Sequence, residues 1–450
     1  MKGTLIFSDA NHFLSQKEAF PALEIPRAVQ LKTACRATSG FHGFGVSLTG
    51  ASCYELSLMP PEERRALLTH AYTKEGLGFS MARISVGSCD YAPEIYSYDD
   101  VENDIELEHF SIARDEKYII PMLKEILEIN PDLHILASPW SPPYWMKTGG
   151  SMCGGYMRNE FVSCYAAYIV KFIQAYAAHG IKVAAVTPQN ELETQQYFQN
   201  IACEWHPDTE ALFIKALRQA FDENKLDVKI WMHDHGFQQT HRVMWSLAHY
   251  EGLKESIDGI AFHYYDGAVE ETNEIREAYP ELPLYFTEGG PRLTDHYDTD
   301  WCKWGLMISR ALKIGYRSFL GWQLVLDEMG CPNVGRFIGI CGGLITRNSQ
   351  TGELSYSGQY KAFRHIAPYV TSASDIYSVS VTDRFGQCIG KYPKFAHPIE
   401  GFVIDNHDGK KIAVLINPND APLQSQITLN GKLWYVEMRA DSIATLIVEE

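Results

Sequence analysis

Glu191 and Glu288 are the residues from which the chemistry of this chain is most readily built. Each closes a short apolar run, Val183-Ala-Ala-Val-Thr-Pro-Gln-Asn-Glu191 and Leu282-Pro-Leu-Tyr-Phe-Thr-Glu288. An apolar or β-branched run that gives way abruptly to polar residues is how a buried parallel strand reads where it ends at a working surface. Two carboxyl groups delivered by two strand ends can divide the labour at one acetal carbon. One attacks and the other protonates the departing oxygen, provided that they stand roughly 5–5.5 Å apart. Glu288 suits the nucleophile, because Arg83 and Tyr265 are placed to donate to its carboxylate and keep it ionised. Glu191 suits the acid/base, in less charged surroundings that would raise its pKa. Asn190 is then available to hold a hydroxyl of the sugar.

The elements that must position these residues alternate from residue 41 onward. Strands are expected at 41–48, 79–86, 133–137, 183–187, 228–232, 257–262, 282–288 and 318–326. Amphipathic helices are expected at 61–72, 115–129, 160–179, 207–224, 240–250, 269–279, 299–314 and 358–366. Pro60 and Pro61 open the first helix, with Glu62 and Glu63 in its first turn, where the helix dipole favours acid. Eight strands alternating with eight helices predict a (β/α)8 TIM barrel, whose function sits at the carboxyl ends of the strands. The tails beyond those ends carry the polar and aromatic residues: Arg83, Asp90, Trp140, Asn190, His233-Asp234-His235, His263-Tyr264-Tyr265 and Trp322-Gln323.

After about residue 369 the rhythm changes to short strands separated by Asp408-Gly409, Asn417-Pro418 and Asn430-Gly431. That pattern predicts an appended β-sandwich over 370–450. Residues 1–40 read as isolated strands or an arm that joins it, and 41–369 as the barrel.

Each candidate has a plainer alternative. A single glutamate after a strand is usually a loop residue or an ion-pair partner; two at matching strand ends shift the balance toward chemistry. His233 and His235 have metal-like spacing, but alternate residues of a strand face opposite sides and no third ligand stands at suitable spacing. A structural or substrate-contact role is therefore expected rather than a metal, with a metal-dependent barrel hydrolase as the alternative. Trp140 and Trp322 can be core or flat platforms for a sugar ring. Arg83 can brace the barrel floor, yet a charge at a strand end calls for a carboxylate partner.

With 46% hydrophobic and 21% charged residues, the composition is that of an ordinary globular enzyme. A net charge of −17 makes nucleic acid and anionic membrane surfaces poor partners. No apolar run approaches the roughly 18 residues of a membrane span. The 10 cysteines are scattered without paired spacing, and the first residues do not read as a signal peptide. Both features point to a reducing cytoplasm, although a chain whose leader had been removed would begin in the same way.

The sequence resembles glycoside hydrolase family 30 from about residue 41 to 370. The motifs are Gly43-Phe-Gly-Val-Ser-Leu-Thr-Gly50, Arg83-Ile-Ser-Val-Gly-Ser-Cys-Asp90, Tyr98-Asp-Asp-Val-Glu-Asn-Asp104 and Ala137-Ser-Pro-Trp-Ser-Pro-Pro-Tyr-Trp-Met-Lys-Thr-Gly149. Thr187-Pro-Gln-Asn-Glu191, Phe262-His-Tyr-Tyr265, Thr287-Glu288 and Gly330-Cys-Pro-Asn333 complete the set. The resemblance implies a retaining mechanism without metal or cofactor, with Glu191 as acid/base and Glu288 as nucleophile. It implies sugar contacts from Asp90, Trp140, Asn190, Trp322 and Asn333, with His263 and Tyr265 near the nucleophile. Arg83 and Tyr197 join the expected substrate contacts.

Three features depart from the family pattern. Leu192 stands where Asn-Glu-Pro is usual, Gln323 follows Trp322 in place of asparagine, and Gly289-Gly290 follows the nucleophile. These are expected to alter the rim of the site. The expected activity is an exo-acting β-glycosidase on small glycosides, β-glucosidase first and β-xylosidase second. A β-1,6-glycanase, a glucosylceramidase-like activity and a catalytically silent carbohydrate-binding protein are the alternatives.

Overall fold

The computed structural model describes residues 2–25, 28–38, 40–194, 199–382 and 399–449. Eight parallel strands close a barrel. They are β1 (Gly43–Ser47), β2 (Met81–Val86), β3 (His134–Pro139), β4 (Val183–Val186), β5 (Lys229–Gly236), β6 (Gly259–His263), β7 (Leu284–Glu288) and β8 (Ser318–Gly321). Their period of two sorts the side chains into two surroundings. Met81, Leu136, Ala185, Trp231, Ala261, Tyr285 and Leu320 point inward and form one apolar plug. Ala82, Ile84, Ile135, Val186, Met232, Phe262 and Phe286 point outward, into the larger cluster shared with the helices. Two residues beyond the plug, the inward positions become Arg83, Ser138, Thr187, His263 and Thr287. The interior thus turns from apolar to polar along the barrel axis, toward the carboxyl ends of the strands.

Several boundaries differ from the sequence expectation. The strand expected over 318–326 stops at Gly321, because Gln323 takes a positive φ of 57°. Val325–Asp327 then starts a separate three-stranded sheet with Ile345–Arg347 and Leu354–Tyr356. The helix expected over 269–279 is a 3-10 turn at Val269–Thr272 followed by Asn273–Ala278. An unexpected helix, Gly50–Ser57, follows β1; Thr49 caps it by accepting from the Ser52 amide. The helix Trp301–Ile314 ends where Gly315 enters the left-handed region at φ 104°.

Two buried polar groups anchor the long loops at the mouth. The Asp115 carboxylate accepts from Tyr96, Tyr98 and Tyr176 hydroxyls at 2.5, 2.6 and 2.5 Å, tying the excursion after β2 to the helix Val162–Ala178. Burial pushes Asp115 up to about 6, against the lowering effect of those donors. The Lys147 ammonium donates to Ser141 Oγ, Met152 O and Ala202 O, joining the loop after β3 to the loop after β4. The stretch Asn159–Ala178 is apolar and long enough to cross a membrane. Its apolar residues are accounted for by packing in the outer layer of the barrel: Tyr165, Ile169, Phe172, Ile173 and Tyr176 are buried there.

The smaller domain is a nine-stranded, mostly antiparallel sheet. Its strand order is Lys432–Met438, Leu423–Leu429, Val29–Thr38, Asp375–Thr382, Glu400–Asp405, Lys410–Asn417, Ser442–Glu449, Gly3–Asp9 and His12–Ala19. A bridge between Pro21 and Trp434 draws its two edges together and closes it as a β-sandwich. Alternation again divides the faces. Along Lys410–Asn417, Ile412, Val414 and Ile416 pack on the barrel cluster, whereas Ala413 and Leu415 join Trp434, Val436 and Leu446 in the domain's own core.

Candidate active site

Arg83 is fully buried at the polar end of the barrel, and each guanidinium nitrogen has an acceptor. Nε donates to Ser138 Oγ at 3.1 Å and Nη1 to Glu288 Oε2 at 2.5 Å. Nη2 donates to Asn190 Oδ1 at 2.7 Å and Asp234 Oδ2 at 2.8 Å. A planar fork with fixed donor directions thus holds residues from four other strand ends in register. The guanidinium also lies over the Trp140 ring, 4.6 Å from its centroid.

Asp234 reaches this place through an irregularity in β5. The register slips between His233 and His235, and His233 and Asp234 take φ values of 79° and 65°. Such a bulge resets the alternation of a strand. His233 turns outward against Phe262, and Asp234 turns in. There its carboxylate also accepts from Thr187 Oγ1 and Thr287 Oγ1, both at 2.7 Å, and from His263 Nε2 at 2.9 Å. Burial alone would raise Asp234, but the charges of Arg83 and His263 outweigh it and hold the carboxyl well below the usual range.

His263 stands between the two glutamates. Its Nδ1 is 3.3 Å from Glu191 Oε1 and 4.0 Å from Glu288 Oε2. Nitrogen and carboxylate atoms of Glu191, His263 and Glu288 all fall within 4.8 Å of one another. Burial would lower His263, but the Glu288 and Asp234 charges prevail and lift it to about 9.

The expectation of a raised pKa at Glu191 is reversed. Burial would raise it, yet the hydrogen bond from His263, the charges of His235 and His263 and the Thr194 hydroxyl hold it at about 2. Glu288 is the raised member of the pair: burial pushes it up, Glu191 adds to the push, and His263 and Arg83 oppose without cancelling it. Glu191 is thus the more readily ionised of the two, and the hydrogen bond from His263 leads the effects that oppose its burial. Its backbone lies in the left-handed region at φ 48°, and its amide donates to Asp234 O at 3.0 Å. A residue before proline is steered toward extended conformations; Leu192 lifts that restriction.

A cavity of about 370 Å³ opens above these groups. Of the residues expected from sequence, Asp90, Trp140, Asn190, Glu191, Tyr265, Glu288 and Trp322 line it. Arg83 and His263 lie beneath, fully buried, with their donors on the carboxylates. Asn333 is absent from the lining, and its Oδ1 accepts from the Gly335 amide at 2.7 Å. Tyr197 lies outside the described residues. His233 and His235 rings are 6.0 Å apart, and His233 Nε2 turns to Gly236 O, so the pair does not converge on one point. Sequence reasoning missed Asp234, Thr187 and Thr287 as partners, and Tyr91, Thr194, Arg292 and Phe337 in the lining; His235, expected in a structural or substrate-contact role, lines the cavity. A threonine at each inward position next to a glutamate strand end was the available signal.

The three departures from the family pattern do not sit at the rim as expected. Leu192 and Gln323 are fully buried, and Gln323 Oε1 accepts from Thr49 Oγ1 at 2.5 Å beneath the site. A Cβ on Gly290 would meet the Trp322 Cβ at 2.5 Å, so the glycine pair lets the end of β7 press against the tryptophan.

Two carboxyl oxygens less than 5 Å apart across a cavity are spaced for attack and protonation at one acetal centre. The sequence pattern of the glycosyl hydrolase family 30 TIM-barrel domain matches residues 41–338. The chain is 25% identical over 438 residues to a protein named putative glucosylceramidase 4 of Caenorhabditis elegans, covering 90% of this chain and 80% of that one. It is 25% identical over 420 residues to an endo-1,6-β-D-glucanase of Neurospora crassa, covering 90% and 85%. The crystal structure of SrfJ from Salmonella typhimurium superposes with a TM-score of 0.89 at 24% identity, over the whole of both chains.

Proposed function

Because the chain belongs to glycosyl hydrolase family 30, and is thereby a retaining glycoside hydrolase, we propose that it removes single β-linked sugars from small glycosides. In this reading Glu288 is the nucleophile and Glu191 the acid/base. The observation that carries it is the approach of their carboxyl oxygens to within 4.8 Å, both facing one cavity.

In the first step a Glu288 oxygen bonds to the anomeric carbon while the glycosidic oxygen leaves with a proton from Glu191. In the second, water gives a proton to Glu191 and its oxygen displaces Glu288, so that configuration is retained. Arg83 and Tyr265 stabilise the attacking carboxylate before it loses its charge.

Exo action is supported by the size and closure of the cavity. At about 370 Å³ it lies near the lower end of ligand pockets, which span roughly 300–1,000 Å³. The segment after Val325–Asp327 walls one side. Val334 N donates to Asp90 O at 2.8 Å, Arg336 N to Asn200 Oδ1 at 2.7 Å, and Leu293 N to Ile340 O at 2.8 Å. β-Glucosidase is the first choice of sugar and β-xylosidase the second. An endo-β-1,6-glucanase is the second reading of the activity, favoured by the Neurospora crassa relative. The nine cysteines among the described residues are all free thiols, which supports a reducing compartment.

A panel of nitrophenyl β-glycosides, run beside β-1,6-linked gluco-oligosaccharides, tests the reading. Release of nitrophenol, with a 2-deoxy-2-fluoroglycosyl adduct mapped to Glu288 by peptide mass, is the expected result. Cleavage of internal oligosaccharide bonds would move the assignment to the endo enzyme. An adduct on another residue would end the proposed division of labour.

A further inference from the structure

The contact between His263 and Glu191 has a consequence for proton traffic. Asp234 is engaged by Arg83, Thr187 and Thr287, and it accepts from His263 Nε2 at 2.9 Å. A carboxylate with these donors on it stays ionised, so Nε2 must carry a hydrogen. The other ring nitrogen, Nδ1, then faces Glu191 Oε1 at 3.3 Å. Without a proton both of those atoms are acceptors, and two lone pairs would confront each other in a buried place. One proton therefore belongs to the Nδ1–Oε1 pair whenever the site is ready to react.

We propose that Asp234 and His263 are the proton store of the reaction: His263 keeps, between turnovers, the proton that Glu191 passes to the departing oxygen, and Asp234 fixes the ring that keeps it. This rests on the acid/base assignment of Glu191 made above. When the glycosidic bond breaks, the one proton of the pair passes from Nδ1 through Glu191 to the leaving oxygen, and the pair stays without it until water attacks. When water attacks, its proton goes to Glu191 and is shared again with Nδ1, so the site regains what it lost. Asp234 and His263 touch no reacting atom; they act through Glu191 as positioning residues.

The groups that face His263 are consistent with a resident proton. Asp234 and His235 approach from β5, Glu191 from the end of β4, Glu288 from β7, and Asp266 from the loop after β6. Arg83 approaches from β2 and is itself tied to Asp234 and Glu288. The anionic neighbours outnumber the cationic ones, and both carboxylates nearest Nδ1 gain from an imidazolium between them. The same geometry gives His263 a reason to be histidine rather than a neutral amide: it must offer a donor on one side and an exchangeable proton on the other.

Two measurements on the full chain test this. The first reads the imidazole nitrogens of His263 by NMR, without substrate. In the wild type both nitrogens should carry hydrogen at pH 7, and in Glu191→Gln the proton affinity of His263 should fall at least tenfold. A ring with a single hydrogen at pH 7, or one unaffected by Glu191→Gln, overturns the proposal whatever the substrate proves to be.

The second compares His263→Asn with wild type on aryl β-glycosides that differ in leaving group. The loss of kcat/KM on a phenyl glycoside should exceed the loss on a 2,4-dinitrophenyl glycoside at least tenfold, and the alkaline limb of the pH profile should move to lower pH. Equal losses on both would assign His263 to Glu288 and overturn the store. Failure of the wild type to turn over either glycoside would count against the proposed function instead, and would leave the NMR result to decide.

Discussion

Nη1 of Arg83 lies 2.5 Å from Oε2 of Glu288, and the arginine that makes this contact has no exposed surface at all. The contact is part of a fork that also serves Asn190 and Asp234, so the two strand ends bearing the glutamates are referenced to one rigid group. Arg83→Lys keeps a charge but loses the fork, because a point charge on a flexible stem cannot serve these acceptors at once. The expected result is a fall in kcat/KM of about 100-fold, equivalent to ~2.7 kcal/mol of transition-state stabilisation. Steady-state kinetics with a nitrophenyl glycoside, beside a melting curve to show that the variant folds, would check it.

Removing the carboxyl groups should separate the two steps. Glu288→Ala should abolish turnover, and azide should restore product of inverted configuration by occupying the vacated space. Glu191→Ala should spare the first step for activated aryl leaving groups, which need little protonation, and slow unactivated ones by about 10²–10⁴-fold. Normal activity of Glu288→Ala would exclude the assignment; NMR of the azide product gives its stereochemistry.

The pH profile follows from the directions of the shifts. Glu288 must be ionised to attack and is raised above its ordinary value, so kcat/KM should climb through a limb higher than that of a free carboxylate. The proton shared by Glu191 and His263 is held until the imidazolium ionises at about 9, so the alkaline limb should lie near there. Glu288, Glu191 and His263 titrate together, and the limbs belong to the cluster. For a dinitrophenyl glycoside, whose departure needs no acid, the alkaline limb should flatten. A profile already falling at pH 6 would contradict this reading.

Behind Glu191, Arg242 donates to Glu193 Oε1 at 2.8 Å, Trp205 O at 2.9 Å and Glu210 Oε2 at 3.0 Å. Glu210 is buried and also receives the His233 amide at 3.0 Å, so one ion pair ties the Glu191 loop to the bulge that presents Asp234. Arg242→Met should cost about 3–5 kcal/mol of stability, because it leaves a buried carboxylate without its cation. Adding Glu210→Gln should return part of that loss. Chemical denaturation of both variants would measure it.

Much of this arrangement was legible in the sequence because it rests on periodicity. Apolar runs of strand length alternating with helical stretches gave the barrel, and Glu191 and Glu288 stood out as carboxylates at the ends of two such runs. Arg83 stood out for the same reason, as a charge at a strand end. Asp234 was hidden because a bulge resets the two-residue alternation, and no parity rule applied to His233-Asp234-His235 foresees which of the three turns in. The edge strand His12–Ala19 was missed because its residues are mostly polar or exposed and only Ala19 is buried. The reversal of Glu191 and Glu288 depended on His263 and His235 meeting across three strands, a matter of distance that spacing along the chain does not encode.

The pairing of Gly3 with Val448 in the small domain orders events during synthesis. The ladder of Gly3–Asp9 is completed by Ser442–Glu449, and Val29–Thr38 is flanked by Asp375–Thr382 and Leu423–Leu429. Strands made first therefore wait for partners made last, with the whole barrel emerging from the ribosome in between. Until then the unmatched edge of Val29–Thr38 is open to mispairing with other chains, and the barrel must reach its own fold without the sheet that later covers Trp301–Ile314.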